Sequence, residues 1–160
     1  MKPIDDFVDR FGTSVRLDKS LIVEKQSRFF LLNQKLKKFI SEDFFYAGIY
    51  LGKLRHGVFF PSFNLLAMIA GSKEANKITV DEKTEWLFIV GRDVFKRGIL
   101  KASGSRSKGA YTLVMNRHGE CLGFGRILCN LDDSKDKNKV VARNVSDIGD
   151  FLRRERRLKG

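Results

Sequence analysis

Three glycines fall within seven residues in the stretch GECLGFG, positions 119–125, and such spacing could serve phosphate chemistry. Closely spaced glycines can cradle a phosphate on backbone N–H groups at the start of a helix. This stretch lacks the G-x-x-x-x-G-K-S/T pattern, and the residues after it favour a strand, not the opening of a helix. We therefore interpret Gly123 and Gly125 as strand positions, either where another part of the molecule approaches the backbone closely or where the strand bends round a small barrel.

The other residue types that perform catalysis or bind metals are few and scattered. His56 and His118 lie beside turn glycines on basic segments, which gives no Ser/His/Asp arrangement. Cys121 and Cys129 are eight positions apart, and this spacing matches no zinc pattern. The two cysteines either pair in a disulfide or remain half-buried strand thiols. The sequence thus predicts no enzyme activity, no cofactor and no metal.

The charge is the strongest global signal. The chain carries 31 basic and 19 acidic residues, a net charge of +12 at pH 7. The excess is uneven, because residues 91–160 carry +9 and residues 1–90 carry +3. A basic excess gathered in one half of a chain is typical of nucleic-acid-binding proteins. The alternative is a solvated basic face with no acidic partner.

Length and hydropathy bound the class of protein. With 160 residues, 42% of them hydrophobic, the chain can form one ordinary domain or two small ones. No stretch approaches the roughly 18 consecutive apolar residues of a membrane span. The opening MKPIDDFVDRFG is acidic where a secretory signal would be basic and apolar. We expect a soluble intracellular protein.

The first half of the sequence predicts an α+β arrangement. Residues 4–11 have apolar residues at helical spacing, which indicates a short helix. Residues 20–26 and 28–34 favour a strand pair or one bent strand. Residues 35–43 predict a short amphipathic helix, and residues 44–57 a long strand broken near Gly48 and Gly52. Residues 58–70 are strongly apolar and fit either a strand or a helix. A polar stretch then separates two halves of the chain, with a short strand predicted at 77–80.

The second half predicts short strands and helical segments joined by turns and loops. A buried strand at 86–90 should place Trp86 in the core, and a short helix at 93–99 should be capped by Asp93. After a basic loop at 104–109, strands 110–116 and 121–128 should form a hairpin that turns at Gly119. A charged loop at 131–139, a final strand and a helix complete the chain.

Five motifs occur in a specific order and spacing along nearly the whole chain. They are MKPIDD, AGIYLGKL, WLFIVGRDVFKRGI, CLGFGRI and DIGDFLRRE. Together they resemble the nuclear-import-protein-seven family of large ribosomal subunit biogenesis factors and its archaeal relatives. The resemblance implies an α+β fold, with an N-terminal antiparallel-sheet pre-PUA domain (residues 1–83) packed on a C-terminal PUA pseudo-barrel (residues 84–160).

The resemblance also implies a function. We expect a non-catalytic RNA-binding factor in pre-rRNA processing and large-subunit assembly. Its partners would be rRNA or pre-rRNA, ribosome-assembly proteins and RNA-processing complexes, with no membrane, and the protein would be a monomer. It would act in the cytoplasm of an archaeon or in the nucleus and nucleolus of a eukaryote. The alternatives are an RNA-targeting accessory subunit of a modifying enzyme, or a purely protein-binding adaptor.

Basic residues of the second half are the expected phosphate contacts. They are Lys137, Lys139, Arg143, Arg153 and Arg154, followed by Arg106 and Lys108 in the 104–109 loop. The terminal helix should turn its apolar residues Ile148, Phe151 and Leu152 to the barrel and its arginines outward. Neutralising Lys35 and Lys38 of the first half should affect RNA binding much less.

Overall fold

The computed structural model describes residues 2–41, 43–150 and 153. These residues form two β-sheets with a few short helices, which confirms the predicted α+β class. No helix in these ranges has the length and apolar character needed to cross a membrane.

The first sheet has four antiparallel strands in the order β1-β2-β3-β4. The elements of this half are α1 (Lys2–Asp9), β1 (Ile22–Lys25), β2 (Arg28–Leu31), α2 (Gln34–Phe39), β3 (Ile49–Arg55), β4 (Val58–Pro61) and α3 (Phe63–Gly71). The predicted first helix, the strand pair and the amphipathic helix are confirmed. The ambiguous apolar stretch contains both β4 and α3, because Ser62 accepts a hydrogen bond from Leu65 N and so begins a helix there.

The second sheet has six strands in the order β6-β10-β9-β8-β5-β7. Its elements are β5 (Lys77–Val80), α4 (Glu82–Ile89), β6 (Val94–Phe95), β7 (Ile99–Ser103), β8 (Tyr111–Met115), β9 (Cys121–Ile127) and β10 (Val140–Asp147). The pairing of β5 with β8 is parallel and the other pairings are antiparallel. The predicted β8–β9 hairpin is confirmed, and Gly119 takes a positive φ of 82° in its turn.

The two sheets meet at an apolar core centred on Phe124 of β9. Its ring lies 5.5 Å from the ring of Phe7 and 5.7 Å from that of Phe11, both near the N-terminus. Leu113 of β8 belongs to the same buried group. The opposite face of the six-stranded sheet packs around Phe88 of α4. Phe124 therefore lies between the two sheets and helps to join the two halves of the chain.

The strand predicted at 86–90 is wrong, because residues 86–89 belong to α4 and Val90 is its C-cap. Asp81 accepts a hydrogen bond from Thr84 N and Glu82 lies in the first turn, so a capped helix begins before the apolar run. In a helix Trp86 and Phe88 point to different sides. Phe88 is fully buried, whereas Trp86 is 61% exposed, so the core position predicted for Trp86 is also wrong.

The helix predicted at 93–99 is replaced by β6 and a 3-10 turn at Lys96–Gly98. Asp93 does not cap a helix, because its carboxylate accepts a hydrogen bond from the backbone N–H of Asn144. This contact holds the N-terminal end of β6 against β10, and the chain is then extended at Val94.

The change from one sheet to the other lies before Lys77. The strand β5 pairs with β7 on one side and with β8 on the other, so it is an internal strand of the second sheet. The division into domains at residues 83 and 84 stays a prediction. Strand pairing groups β5, residues 77–80, with the second half.

Candidate RNA interface

The glycines of β9 allow β10 to approach its backbone closely. Gly123 has a φ of 146°, and a Cβ atom there would overlap the carbonyl oxygen of Ser146. A Cβ at Gly125 would lie 2.5 Å from the carbonyl oxygen of Arg143. The structural role inferred for these glycines therefore agrees with the geometry. Their consequence for the site is the close registration of β9 against β10.

That registration places two arginines side by side. Arg126 of β9 is directly opposite Arg143 of β10, and both side chains are exposed. Arg126 is also directly opposite Tyr111 of β8. Opposite residues of antiparallel strands lie on the same face, with Cβ atoms about 5 Å apart. Arg143, Arg126 and Tyr111 consequently form a row across three strands.

An arginine from the other half of the chain joins this row. The guanidinium of Arg10, just after α1, lies 5.4 Å from the centroid of the Tyr111 ring. This is a cation–π distance. We call Arg10, Tyr111, Arg126 and Arg143 the seam cluster, because they gather where the two halves of the protein meet.

Like charges on directly opposite strand positions destabilise a sheet unless an anion or a counter-charge lies between them. Arg126 Nε donates to the carbonyl oxygen of Gly109 at 3.4 Å, which orients the guanidinium but supplies no charge. Among the described residues, no carboxylate forms an ion pair with an arginine of the seam cluster. The row is thus a concentration of positive charge suited to phosphate.

Two of the predicted contacts belong to a second basic group. Lys137 and Lys139 are exposed, and their carbonyl oxygens accept hydrogen bonds from Arg97 N and Lys96 N, each at 2.9 Å. These bonds hold the 131–139 loop against the 3-10 turn after β6. We call Lys96, Arg97, Lys137 and Lys139 the loop cluster. Lys139 precedes Arg143 by four residues, about 13 Å along an extended strand.

The two predicted residues of the 104–109 loop differ in their surroundings. Arg106 donates to Asp132 at 2.9 Å and to the carbonyl oxygen of Ala102 at 3.2 Å. Its charge is therefore partly compensated. Lys108 is exposed and lies next to Gly109, whose carbonyl oxygen accepts from Arg126. Of the pair, Lys108 is better placed to extend the seam cluster.

Arg153 is not turned outward as predicted. Its guanidinium donates to both carboxylate oxygens of Asp147 and, at 2.7 Å, to the carbonyl oxygen of Ile89. The hydrogen bond with Asp147 raises the pKa of Arg153. Ile148, expected to face the barrel, is 49% exposed. Arg154, Phe151 and Leu152 lie outside the described residues.

The opposite side of the second sheet carries the reverse charge. The exposed Trp86 overlooks a groove of about 460 Å³ between α4 and the β8–β9 turn, and Glu82, Glu85 and Glu120 line it. The buried amide of Asn116 donates to Glu85 at 3.1 Å and to Glu120 at 2.6 Å. Arg117 and His118 also line the groove, but its three carboxylates outnumber the single guanidinium, so the groove is less suited to phosphate than the seam cluster.

The structure also shows the state of the two cysteines and the placement of the residue types that bind metals. Both cysteines are free thiols, which excludes a disulfide between Cys121 and Cys129 in this structure. Burial raises the pKa of the Cys121 thiol to about 11. Within the described ranges, no three His, Cys, Asp or Glu side chains gather closely enough to hold a metal ion.

Sequence reasoning found Arg143 but missed Arg10 and Arg126. The signal for Arg126 was present, because it is the basic residue that directly follows the LGFG motif on the same predicted strand. No sequence signal indicated Arg10, since its position depends on the packing of the neighbouring Phe11 against Tyr111 of β8.

A sheet-dominated α+β protein with a curled six-stranded sheet and a basic strand face is a PUA-type architecture. Residues 76–156 match the family described as the UPF0113 PUA domain. The chain belongs to this family.

A relative from Archaeoglobus fulgidus, described as a UPF0113 protein, is 29% identical over 113 residues, which cover 69% of this chain and 63% of that protein. The chain thus spans less than two thirds of the length of this relative.

Solved structures share the fold over nearly the whole chain. A conserved PUA domain protein from Thermoplasma acidophilum is 23% identical and has a TM-score of 0.62, with 96% of this chain and 92% of that chain covered. A PUA domain from Aeropyrum pernix K1, solved as a tartrate complex, is 15% identical and also has a TM-score of 0.62, with 95% and 85% covered. These similarities concern the fold.

Proposed function

We propose that the protein is a non-catalytic RNA-binding factor and that the seam cluster is its main phosphate contact. The observation that carries this proposal is the direct opposition of Arg126 and Arg143, with Arg10 stacked on the neighbouring Tyr111. Such an arrangement stabilises a bound phosphate by charge and by paired guanidinium donors. The PUA fold, which generally binds RNA, and the net charge of +12 support the same function.

The loop cluster would extend the contact along the RNA backbone. Lys139 and Arg143 are separated by about 13 Å along the chain, a length that one segment of an RNA backbone spans, so one segment could touch both. Backbone contacts position RNA and carry little sequence information. The affinity should therefore depend strongly on salt and weakly on base sequence.

The proposed biological setting is pre-rRNA processing and assembly of the large ribosomal subunit. Its support is the resemblance of five motifs to the nuclear-import-protein-seven family, and PUA family membership is consistent with it. In this setting the chain would act by binding RNA and assembly proteins, without turnover of its own. An accessory subunit of an RNA-modifying enzyme and a protein-binding adaptor are the competing functions.

The test compares two double variants of the full chain. Arg126→Gln/Arg143→Gln removes the opposed pair, and Lys35→Gln/Lys38→Gln removes two exposed charges of α2. Binding to a fluorescent fragment of large-subunit rRNA, and to an unrelated structured RNA, is measured by anisotropy between low and moderate salt. We expect the first variant to lose at least about ten-fold in affinity for both RNAs. The slope of log affinity against log salt should fall by about one unit per lost contact.

The α2 variant should bind nearly as well as the unmodified protein. Equal losses in the two folded variants would contradict the proposed interface. An adaptor would show no salt-dependent RNA binding in either form. RNA methylation, pseudouridylation or cleavage that disappears after a single substitution would contradict the non-catalytic function.

A further inference from the structure

A second row of cations crosses the sheet of the N-terminal half. Lys25 of β1 is directly opposite Arg28 of β2, and Arg28 is directly opposite Lys53 of β3. Neighbouring strands are about 4.8 Å apart, so three positive charges begin within roughly 10 Å. Phe60 of β4 is opposite Lys53 and ends the row with an exposed aromatic ring.

This row lies on the face of the sheet that is turned away from the main core. The core receives Phe29 and Phe59, which are neighbours of Arg28 and Phe60 in the chain. Successive side chains of a strand point to opposite faces. The cations and Phe60 therefore lie on the outer face, which we call the outer row: Lys25, Arg28, Lys53 and Phe60.

Aromatic side chains border the outer row. Phe30 is buried beneath the rings of Phe44, Tyr46 and Tyr50, whose centroids lie 5.3–5.7 Å from its own. This group is a support and not a binding surface in itself, because its central ring is almost fully covered. Its effect is to fix the 43–46 segment beside the outer row.

The segment holds Phe45 at the edge of a depression. Phe45 is 83% exposed and lines a depression of about 170 Å³ together with Lys25, Arg28 and Phe44. Lys25 Nζ lies 4.8 Å from the centroid of the Phe44 ring. Asp43 also lines the depression, and its carboxylate can accept a hydrogen bond from the amino group of a base.

We propose that the outer row and Phe45 form a second RNA-binding surface, specific for a single-stranded segment. The phosphates would follow Lys25, Arg28 and Lys53, and an unpaired base would stack on Phe45. Cations beside exposed aromatic rings are the combination that binds single-stranded nucleic acid. A duplex keeps its bases stacked inside the helix and cannot use Phe45.

This inference deepens the proposed function and rests on it, because both surfaces would hold one RNA. The seam cluster would bind backbone phosphates of structured RNA, and the outer row would bind an unpaired extension of it. An acidic peptide would satisfy the cations but would gain little from Phe45. The contribution of the ring therefore separates the two kinds of partner.

The experiment uses the full chain and two labelled RNAs of equal length, a single-stranded oligouridine and a blunt duplex. Arg28→Gln/Lys53→Gln should weaken oligouridine binding about ten-fold and lower the salt slope by about 0.7 per lost phosphate contact. Phe45→Ala should weaken it by about five-fold or more and leave the slope unchanged. Duplex binding should change little in either variant. Lys35→Gln/Lys38→Gln is the matched charge control.

The variant Arg126→Gln/Arg143→Gln, measured in parallel, separates this inference from the proposed interface. If it weakens binding while Arg28→Gln/Lys53→Gln and Phe45→Ala have no effect, the outer surface is refuted and the seam cluster stands. If only the outer-face variants weaken binding, the second RNA-binding surface is supported and the role of the seam cluster in RNA binding is contradicted. Equal losses for duplex and oligouridine, or an unchanged affinity in Phe45→Ala, would also overturn the single-strand assignment.

Melting temperatures provide the fold control. Phe45 and Arg28 are exposed and Lys53 is half-buried on the outer face, and removing opposed like charges should leave the melting temperature equal or slightly higher. Should a glutamine variant melt lower, Arg28→Lys/Lys53→Arg keeps the charges and should restore both the melting temperature and binding. Failure of this charge-preserving variant to bind, when folded, would overturn the phosphate contact.

Discussion

Arg153 binds Asp147 through one nitrogen and both carboxylate oxygens. Its Nη2 atom lies 3.0 Å from Oδ1 and 2.8 Å from Oδ2, and the Asp147 side chain is only 3% exposed. Asn144 donates to the same carboxylate at 3.1 Å and to the carbonyl oxygen of Phe88 at 2.8 Å. The end of β10, the residue Arg153 and the end of α4 are thereby tied together by one buried acid.

The first prediction concerns the ion pair of Arg153 and Asp147. Asp147→Ala should lower the free energy of unfolding by about 1–3 kcal/mol, because it leaves buried donors without an acceptor. Arg153→Ala should cost about 1–3 kcal/mol, because it leaves the buried Asp147 carboxylate without its counter-charge, and should leave RNA affinity nearly unchanged. Urea unfolding and anisotropy measure the two effects. If Arg153→Ala lost as much RNA affinity as Arg143→Ala without a change of stability, Arg153 would be part of the RNA interface.

The second prediction concerns the close approach of β9 and β10. Gly123→Ala should destabilise the protein by about 3 kcal/mol, because the methyl group would overlap the backbone of Ser146 at a φ that L-residues rarely adopt. Gly71→Ala is the matched control, since Gly71 ends α3 with open space around it. It should change stability by no more than about 1 kcal/mol, in the stabilising direction. Equal effects in thermal unfolding would contradict the close contact.

The third prediction distinguishes the helix α4 from a strand. Phe88→Ala should cost about 3–5 kcal/mol, since its ring is fully buried in the second sheet's core. Trp86→Ala should cost less than about 1 kcal/mol, because most of its indole is exposed. A strand would put both side chains, two residues apart, on one face. Similar losses for the two substitutions would therefore favour the strand.

The fourth prediction concerns the Cys121 thiol, whose pKa burial raises from 9.0 to about 11. In Cys129→Ser it is the single thiol. At pH 8 its thiolate fraction should be about 100-fold below that of an ordinary thiol, and alkylation correspondingly slow. The folded state favours the neutral thiol, so this stabilisation is complete below pH 9 and is lost as the pH rises through 11. Alkylation rates measured against pH, with a midpoint near 9 in the folded protein, would contradict the burial.

The sequence predicted the elements whose signals are local. The hairpin of β8 and β9 follows from two β-prone runs around Gly119, and α1 follows from apolar residues at helical spacing. It failed for α4, where the run WLFIV has the composition of a buried strand. The helix is determined by Asp81 and by the acidic first turn that precedes this run. An N-cap signal therefore outweighed the β-propensity of five apolar residues.

The sequence predicted only part of the candidate site, because some of its contacts depend on the fold and not on local signals. Lys139 and Arg143 are visible as basic residues beside a strand, and the structure leaves both exposed. The pairing of Arg143 with Arg126 depends on a strand register that includes a bulge between Asn144 and Ser146. The ion pair between Arg153 and Asp147 depends on the burial of an aspartate that the sequence alone would place at the surface. Neither the register of two strands nor the burial of a single acid can be derived from the spacing of residues along the sequence.

The position of Phe124 between the sheets affects how the protein unfolds. A fragment that begins at residue 84 would lack β5, the strand that bridges β7 and β8, and would leave Phe124 without Phe7 and Phe11. Neither half can therefore lose its structure without exposing apolar area of the other. The chain should melt in one cooperative transition. A substitution in α1 should alter the RNA affinity of the second sheet, because α1 places Arg10 against Tyr111.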